Sequence, residues 1–111
     1  MFGIGGSALG PLSAATALLH LHHNELKRSK RKAPKLYVED NIDPERMAAL
    51  LDVIVPEKTI FNIITKSGET SETLSQMLIV LDILKKTLGK DAKEHIVLHL
   101  LRHRVFHDYC Q

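Results

Sequence analysis

Residues 59–65, Thr-Ile-Phe-Asn-Ile-Ile-Thr, constrain this chain more than any other segment. The run is rich in β-branched and aromatic residues, as a strand buried in a parallel sheet is. Lys66-Ser-Gly-Glu-Thr follows as a loop. Beyond it, residues 71–88 read as an amphipathic helix, with Leu74, Met77, Leu78, Leu81, Leu84 and Leu88 on one stripe. Gly89 stands just past that run, where a helix stops. A buried strand, a tight loop and a long helix make the first two elements of a βαβ unit.

The remaining elements repeat this alternation. Residues 8–22 are predicted helical, with Ala8, Leu9, Leu12, Ala15, Leu18, Leu19 and Leu21 recurring every three or four positions. Leu36-Tyr-Val-Glu39 is a short candidate strand. Asp43 and Pro44 open a second helix, as N-cap and first-turn proline, which runs through Met47, Leu50 and Leu51 and ends before Pro56. Ile96-Val-Leu98 begins a further strand. The fold class is therefore α/β, a three-layer αβα sandwich on a parallel sheet. Ligands of such sheets sit at the carboxyl ends of the strands, where both glycine-containing loops fall.

The length of 111 residues suits one domain. Fifteen Lys and Arg against thirteen Asp and Glu leave a net charge of +2, too mild to point to nucleic acid. Six basic residues cluster within 27–35, but without aromatic residues for base stacking they read as a solvated linker. Cys110 is the single cysteine, so no internal disulfide forms. With no secretory leader and no apolar run near 18 residues, the expectation is a cytoplasmic protein that does not enter a membrane.

Two loops carry the chemistry. Gly3-Ile-Gly-Gly-Ser-Ala-Leu-Gly10 lets the backbone approach a ligand closely, and the helix after it offers unpaired N–H groups. Taken alone, the pattern is also compatible with a loose dinucleotide fingerprint or a plain strand-to-helix turn. Thr65-Lys-Ser-Gly-Glu-Thr-Ser-Glu-Thr73 supplies five hydroxyls and one cation ahead of a long helix. A phosphate monoester needs donors of that kind and compensation for about two negative charges. Glu69 and Glu72 oppose an anion and suit a capping box instead. An ordinary N-capped helix is the alternative, and the order of residues is not that of a nucleoside-triphosphatase loop.

Together the two segments resemble a known family. Residues 3–11 are similar to the glycine-serine loop of glucose-6-phosphate isomerases, and residues 64–73 to their phosphate loop in its bacterial form. The Ser-Gly-Glu-Thr core is shared with the wider sugar isomerase (SIS) domains. Asn41-Ile-Asp-Pro-Glu45 favours the isomerases, and the likeness runs from about residue 2 to residue 97.

The resemblance implies that Gly6 and Ser7 line a sugar-phosphate site. It implies that Thr65, Lys66 (through its backbone), Ser67 and Thr70 hold the phosphate of glucose 6-phosphate or fructose 6-phosphate. The family reaction is an aldose–ketose interconversion through a cis-enediol, with a glutamate base and a ring-opening histidine, and it requires no metal or organic cofactor. Neither catalytic group has a counterpart in the matched segment, so no catalytic residue is assigned. The family is typically homodimeric, and its members carry two SIS domains. The expected organisation is an incomplete SIS domain over 1–97 and an aberrant tail over 98–111 from a shifted reading frame. Met1 would stand in the middle of the first strand. The competing reading is a non-catalytic SIS module that binds or senses a sugar phosphate.

Histidines fall outside that pattern. His95, His99, His103 and His107 recur every four residues, which on a helix would put them on one face, as in helical zinc sites. No metal is assigned, because such a helix would interrupt the strand the fold expects. His20, His22 and His23 are expected to close the first helix and meet its C-terminal dipole.

Overall fold

The computed structural model describes residues 1–100. Its regular elements are α1 (Gly6–Leu18), α2 (Pro44–Val53), β1 (Phe61–Thr65), α3 (Ser71–Leu88) and β2 (Ile96–Leu100), with short 3-10 turns between them. The strands β1 and β2 pair in parallel from Phe61 with Ile96 to Thr65 with Leu100. On the other side of β1, Phe2 bridges Ile63 and Glu39, again in parallel. The backbone order across the sheet is thus residue 39, residue 2, β1, β2. A right-handed crossover through α3 is the usual way to join parallel neighbours such as β1 and β2.

Position 2 behaves as a central strand reduced to a few residues. The Phe2 amide donates to the Asn62 carbonyl at 2.8 Å, and the Ile64 amide donates to the Phe2 carbonyl at 2.9 Å. On its opposite side, Gly3 N–H donates to Glu39 at 3.2 Å and Glu39 N–H to Met1 at 2.9 Å. Residues 36–38, expected as strand, have no ladder of their own. The Asn24 side chain substitutes for a neighbouring strand at Leu36, donating to its carbonyl at 2.7 Å and accepting from its amide at 2.9 Å.

One core lies on one face of the sheet. Phe2, Phe61 and Ile63 pack there against Met47 and Leu50 of α2 and Met77, Val80, Leu81 and Leu84 of α3. The rings of Phe2 and Phe61 stack with centroids 6.2 Å apart. The stripe expected on α3 holds at Met77, Leu81 and Leu84, with Leu74 and Leu88 partly buried against the core, and fails at Leu78. Leu78 is 44% exposed while Val80 and Leu84 are fully buried, and Thr73 and Gln76 turn inward with them. Burial follows the face set by the sheet contacts, and leucine content alone does not locate it. Glu39 is also buried on this side, and Arg46 Nε donates to its carboxylate at 3.0 Å. That hydrogen bond and the carboxylate charge raise the Arg46 pKa above its ordinary value.

α1 ends at Leu18, four residues short of the expected limit, and only Ala8 of it is buried. His20, His22 and His23 lie beyond its end and do not cap it. His22 Nδ1 meets Glu25 at 3.2 Å, and His23 Nε2 lies 2.9 Å from the Pro34 carbonyl. The shared helical face of His95 and His99 is not formed, because His95 closes a 3-10 turn and His99 stands within β2. His103, His107 and most of the tail 98–111 lie outside the described residues. Among the described residues no group of three or more His, Cys, Asp or Glu could hold a metal, and no helix is long and apolar enough to cross a membrane.

α2 starts as its sequence predicts. Asp43 caps it, accepting from the amides of Glu45 at 2.9 Å and Arg46 at 3.2 Å. Asp43→Ala removes both bonds from the first turn and is expected to cost about 1 kcal/mol. A thermal melt followed by circular dichroism should drop by about 5 °C.

Candidate functional site

The first candidate loop is shaped by close backbone contact. A Cβ at Gly3 would lie 3.0 Å from Ser7 Cβ and 3.3 Å from the Ile64 carbonyl oxygen, so a side chain there would push the loop off β1. Gly5 takes φ 57 as the N-cap of α1, a conformation that favours glycine. Its carbonyl accepts from Ala8 and Leu9, which closes the first turn. Gly6 is exposed at the first helical position, and Ser7 is half-buried one residue later. No acidic residue stands in this first turn, so the positive end of the helix is uncompensated.

The second loop is closed by its own hydroxyls. Thr65 ends β1 and is 4% exposed. Its Oγ1 accepts from the Gly68 amide at 3.2 Å and lies 3.5 Å from Thr70 Oγ1. Ser67 Oγ accepts from the Glu69 amide at 3.1 Å. Gly68 has φ 76, which turns the chain so that Thr70 becomes the N-cap of α3. The Lys66 side chain is exposed, as is that of Glu69.

The expected capping box is not formed. The Thr70 side chain makes no cap hydrogen bond, and neither glutamate bonds back to the cap. Glu72 instead sits exposed in the first turn of α3, where its charge suits the helix dipole. The early amides of α3 therefore keep their donors free of side-chain caps. Beneath them, Thr73 is buried with its hydroxyl unpartnered.

The two loops meet at the carboxyl end of β1. Ser7, Ile64, Thr65, Lys66, Leu98, His99 and Leu100 line one cavity of about 420 Å³. Of the residues singled out from sequence, Ser7, Thr65 and Lys66 share this cavity. Thr70 joins them through Thr65, while Gly6 and Ser67 lie outside the lining. Among the described residues no carboxylate lines it. Such a cavity presents the hydroxyls of Ser7 and Thr65, the start of α1 and a cation, a set that can hold an anion. A second cavity, of about 320 Å³, lies between α1 and the turn at residues 20–25 and contains none of these residues.

His99 was not foreseen as a site residue. Its position depends on the register of β2 against β1, where it faces Ile64. Four-residue spacing pointed to a helix, and no local signal fixes a parallel register.

Known proteins carry the same segment. A family model described as phosphoglucose isomerase matches residues 1–103. Over 97 residues the chain is 65% identical to the glucose-6-phosphate isomerase of Carboxydothermus hydrogenoformans, covering 87% of this chain and 21% of that protein. It is 45% identical over 87 residues to the enzyme of the same name from Rubrobacter xylanophilus, covering 78% and 20%. The crystal structure of a hypothetical protein from Thermus thermophilus superposes with a TM-score of 0.71 at 37% identity, covering 89% of this chain and 21% of that one. The chain thus spans about a fifth of the length of these relatives. With a family model matching nearly its whole length and a parallel α/β fold to go with it, the chain belongs to the phosphoglucose isomerase family.

Proposed function

We propose that this chain supplies the phosphate-binding part of a glucose-6-phosphate isomerase, acting on glucose 6-phosphate and fructose 6-phosphate in the cytoplasm. The observation that carries this reading is the single cavity shared by Ser7, Thr65 and Lys66 at the carboxyl end of a parallel strand. Thr65, Ser67 and Thr70 offer hydroxyls, the loop around Lys66 offers backbone amides, and Gly6 and Ser7 offer the start of α1. A sugar phosphate would place its phosphate there, with its carbon chain directed towards groups from the rest of the enzyme. The unit is an SIS-type sugar-phosphate-binding domain over residues 1–97, followed by a tail over 98–111 of different origin.

Among the described residues the lining holds no glutamate to serve as the family's base, which suits a binding role without the proton transfer between C1 and C2. That step belongs to a base outside this segment, in an assembly that is homodimeric in the family's usual form. No cofactor enters the reaction. The same observation suits a non-catalytic sugar-phosphate module as the second reading.

Isothermal titration of the chain with 6-phosphogluconate should show binding, and a coupled isomerase assay should show no turnover. A cooperatively folded sample that binds neither this ligand nor inorganic phosphate would overturn the binding role. Turnover by the isolated chain would overturn the assignment of the base to another segment.

A further inference from the structure

We propose that Gln76 is a positioning residue of the phosphate site, which sets the start of α3 against the backbone segment that also holds the glycine loop. This rests on the phosphate-binding reading above, and it adds to that site what fixes its two loops relative to each other. Gln76 is 4% exposed and lies on the core face of α3, beside Thr73, Met77 and Val80. Its Nε2 donates to the Asn41 carbonyl at 2.7 Å, between positions 35 residues apart. Among the described residues this is the one hydrogen bond that an α3 side chain makes outside the helix. Those of Ser75, Lys86 and Thr87 all close within it.

The place of that bond links the two loops. Residue 39 is separated from β1 by the segment around Phe2, which bridges both. The Glu39 carbonyl accepts from the Gly3 amide at 3.2 Å, at the start of the glycine loop. Two residues further on, the Asn41 carbonyl accepts from Gln76. A path of two hydrogen bonds and a short stretch of backbone thus runs from Gly3 to α3, whose N-cap Thr70 ends the second loop. Apolar packing holds α3 on the sheet without favouring one direction, whereas a hydrogen bond fixes where the helix stands along it.

The residue type separates positioning from packing. Gln76 Oε1 is buried with no hydrogen-bond partner among the described residues. A buried carbonyl in that state opposes folding, so glutamine here is a poorer core residue than methionine of similar length. What glutamine adds is the directed bond to Asn41. Asn41 itself is exposed, and its acceptor is a backbone carbonyl that any residue at that position supplies.

Gln76→Met keeps the length of the side chain and removes the bond. In the full chain it should unfold in urea at a midpoint equal to or above that of the unmodified protein. Inorganic phosphate, followed by NMR shifts of the Thr65–Thr70 amides, should bind it about fivefold more weakly, as the loss of one hydrogen bond implies. Gln76→Asn, which keeps the amide but is one carbon too short to reach Asn41, should bind at the same weaker level. Asn41→Ala, which leaves the carbonyl in place, should bind as the unmodified chain does.

Unchanged phosphate affinity in Gln76→Met would overturn the positioning role and leave the phosphate cavity standing. A loss of affinity matched by a lower unfolding midpoint in that variant would assign Gln76 to packing and overturn the role too. Failure of the unmodified chain to bind inorganic phosphate or 6-phosphogluconate would instead remove the underlying phosphate-binding reading.

Discussion

Gly68→Val should reduce phosphate binding at least tenfold while leaving a folded chain. At φ 76, Gly68 occupies a conformation that a β-branched residue adopts only under strain. Its amide is also the donor that fixes the Thr65 hydroxyl, at 3.2 Å. A valine would relieve its strain by rotating the peptide away, which breaks that bond and redirects the Lys66–Glu69 amides. An anion contact relies on those amides pointing one way, so the loss appears mainly as affinity.

Titration with 6-phosphogluconate beside a circular dichroism melt separates the two effects. Gly68→Asn provides the control, because asparagine tolerates positive φ far better than valine. It should retain most of the binding. Valine and wild-type chains of equal affinity would mean that the loop conformation does not govern the site.

The legibility of this fold divides along local and non-local lines. The bounds of α3 follow from signals within a few residues, namely the polar loop before it and Gly89 after it, and the helix runs from Ser71 to Leu88 as expected. Asp43 and Pro44 fix α2 in the same way. The buried face of α3 was less readable. Met77, Leu81 and Leu84 lie on it as their spacing predicts, but Thr73, Gln76 and Val80 join them because of where β1 lies, and Leu78 is exposed.

Residues 36–38 show the same limit. Their strand propensity was legible, but pairing needs a partner, and only a few residues beside Phe2 provide one. Of the cavity lining, Ser7 and Thr65 are marked in the sequence by their hydroxyls beside glycines. His99 joined them through strand register, which no window of neighbouring residues encodes.

Ile63→Ala should be the most destabilising conservative truncation in the sheet. Ile63 is fully buried, and its strand lies between the short segment around Phe2 and the paired strand β2. Its side chain belongs to the cluster that includes Phe61, Met77, Val80 and Leu84. Removing three carbons there leaves a hole that close-packed neighbours fill only in part, at a cost of about 2–5 kcal/mol. Domains of this size are held by about 5–15 kcal/mol in total, so the loss is a large share of the whole.

A urea titration should show the midpoint falling sharply with little change in slope, as expected for lost packing in a two-state chain. Ile63→Val, which keeps the branched shape, should recover most of the stability, since that smaller change typically costs about 0.5–1.5 kcal/mol. The order matters more than either value. If valine and alanine unfolded at the same midpoint, the site would be relaxing around the missing atoms, and Ile63 would not be the packed centre of the sheet.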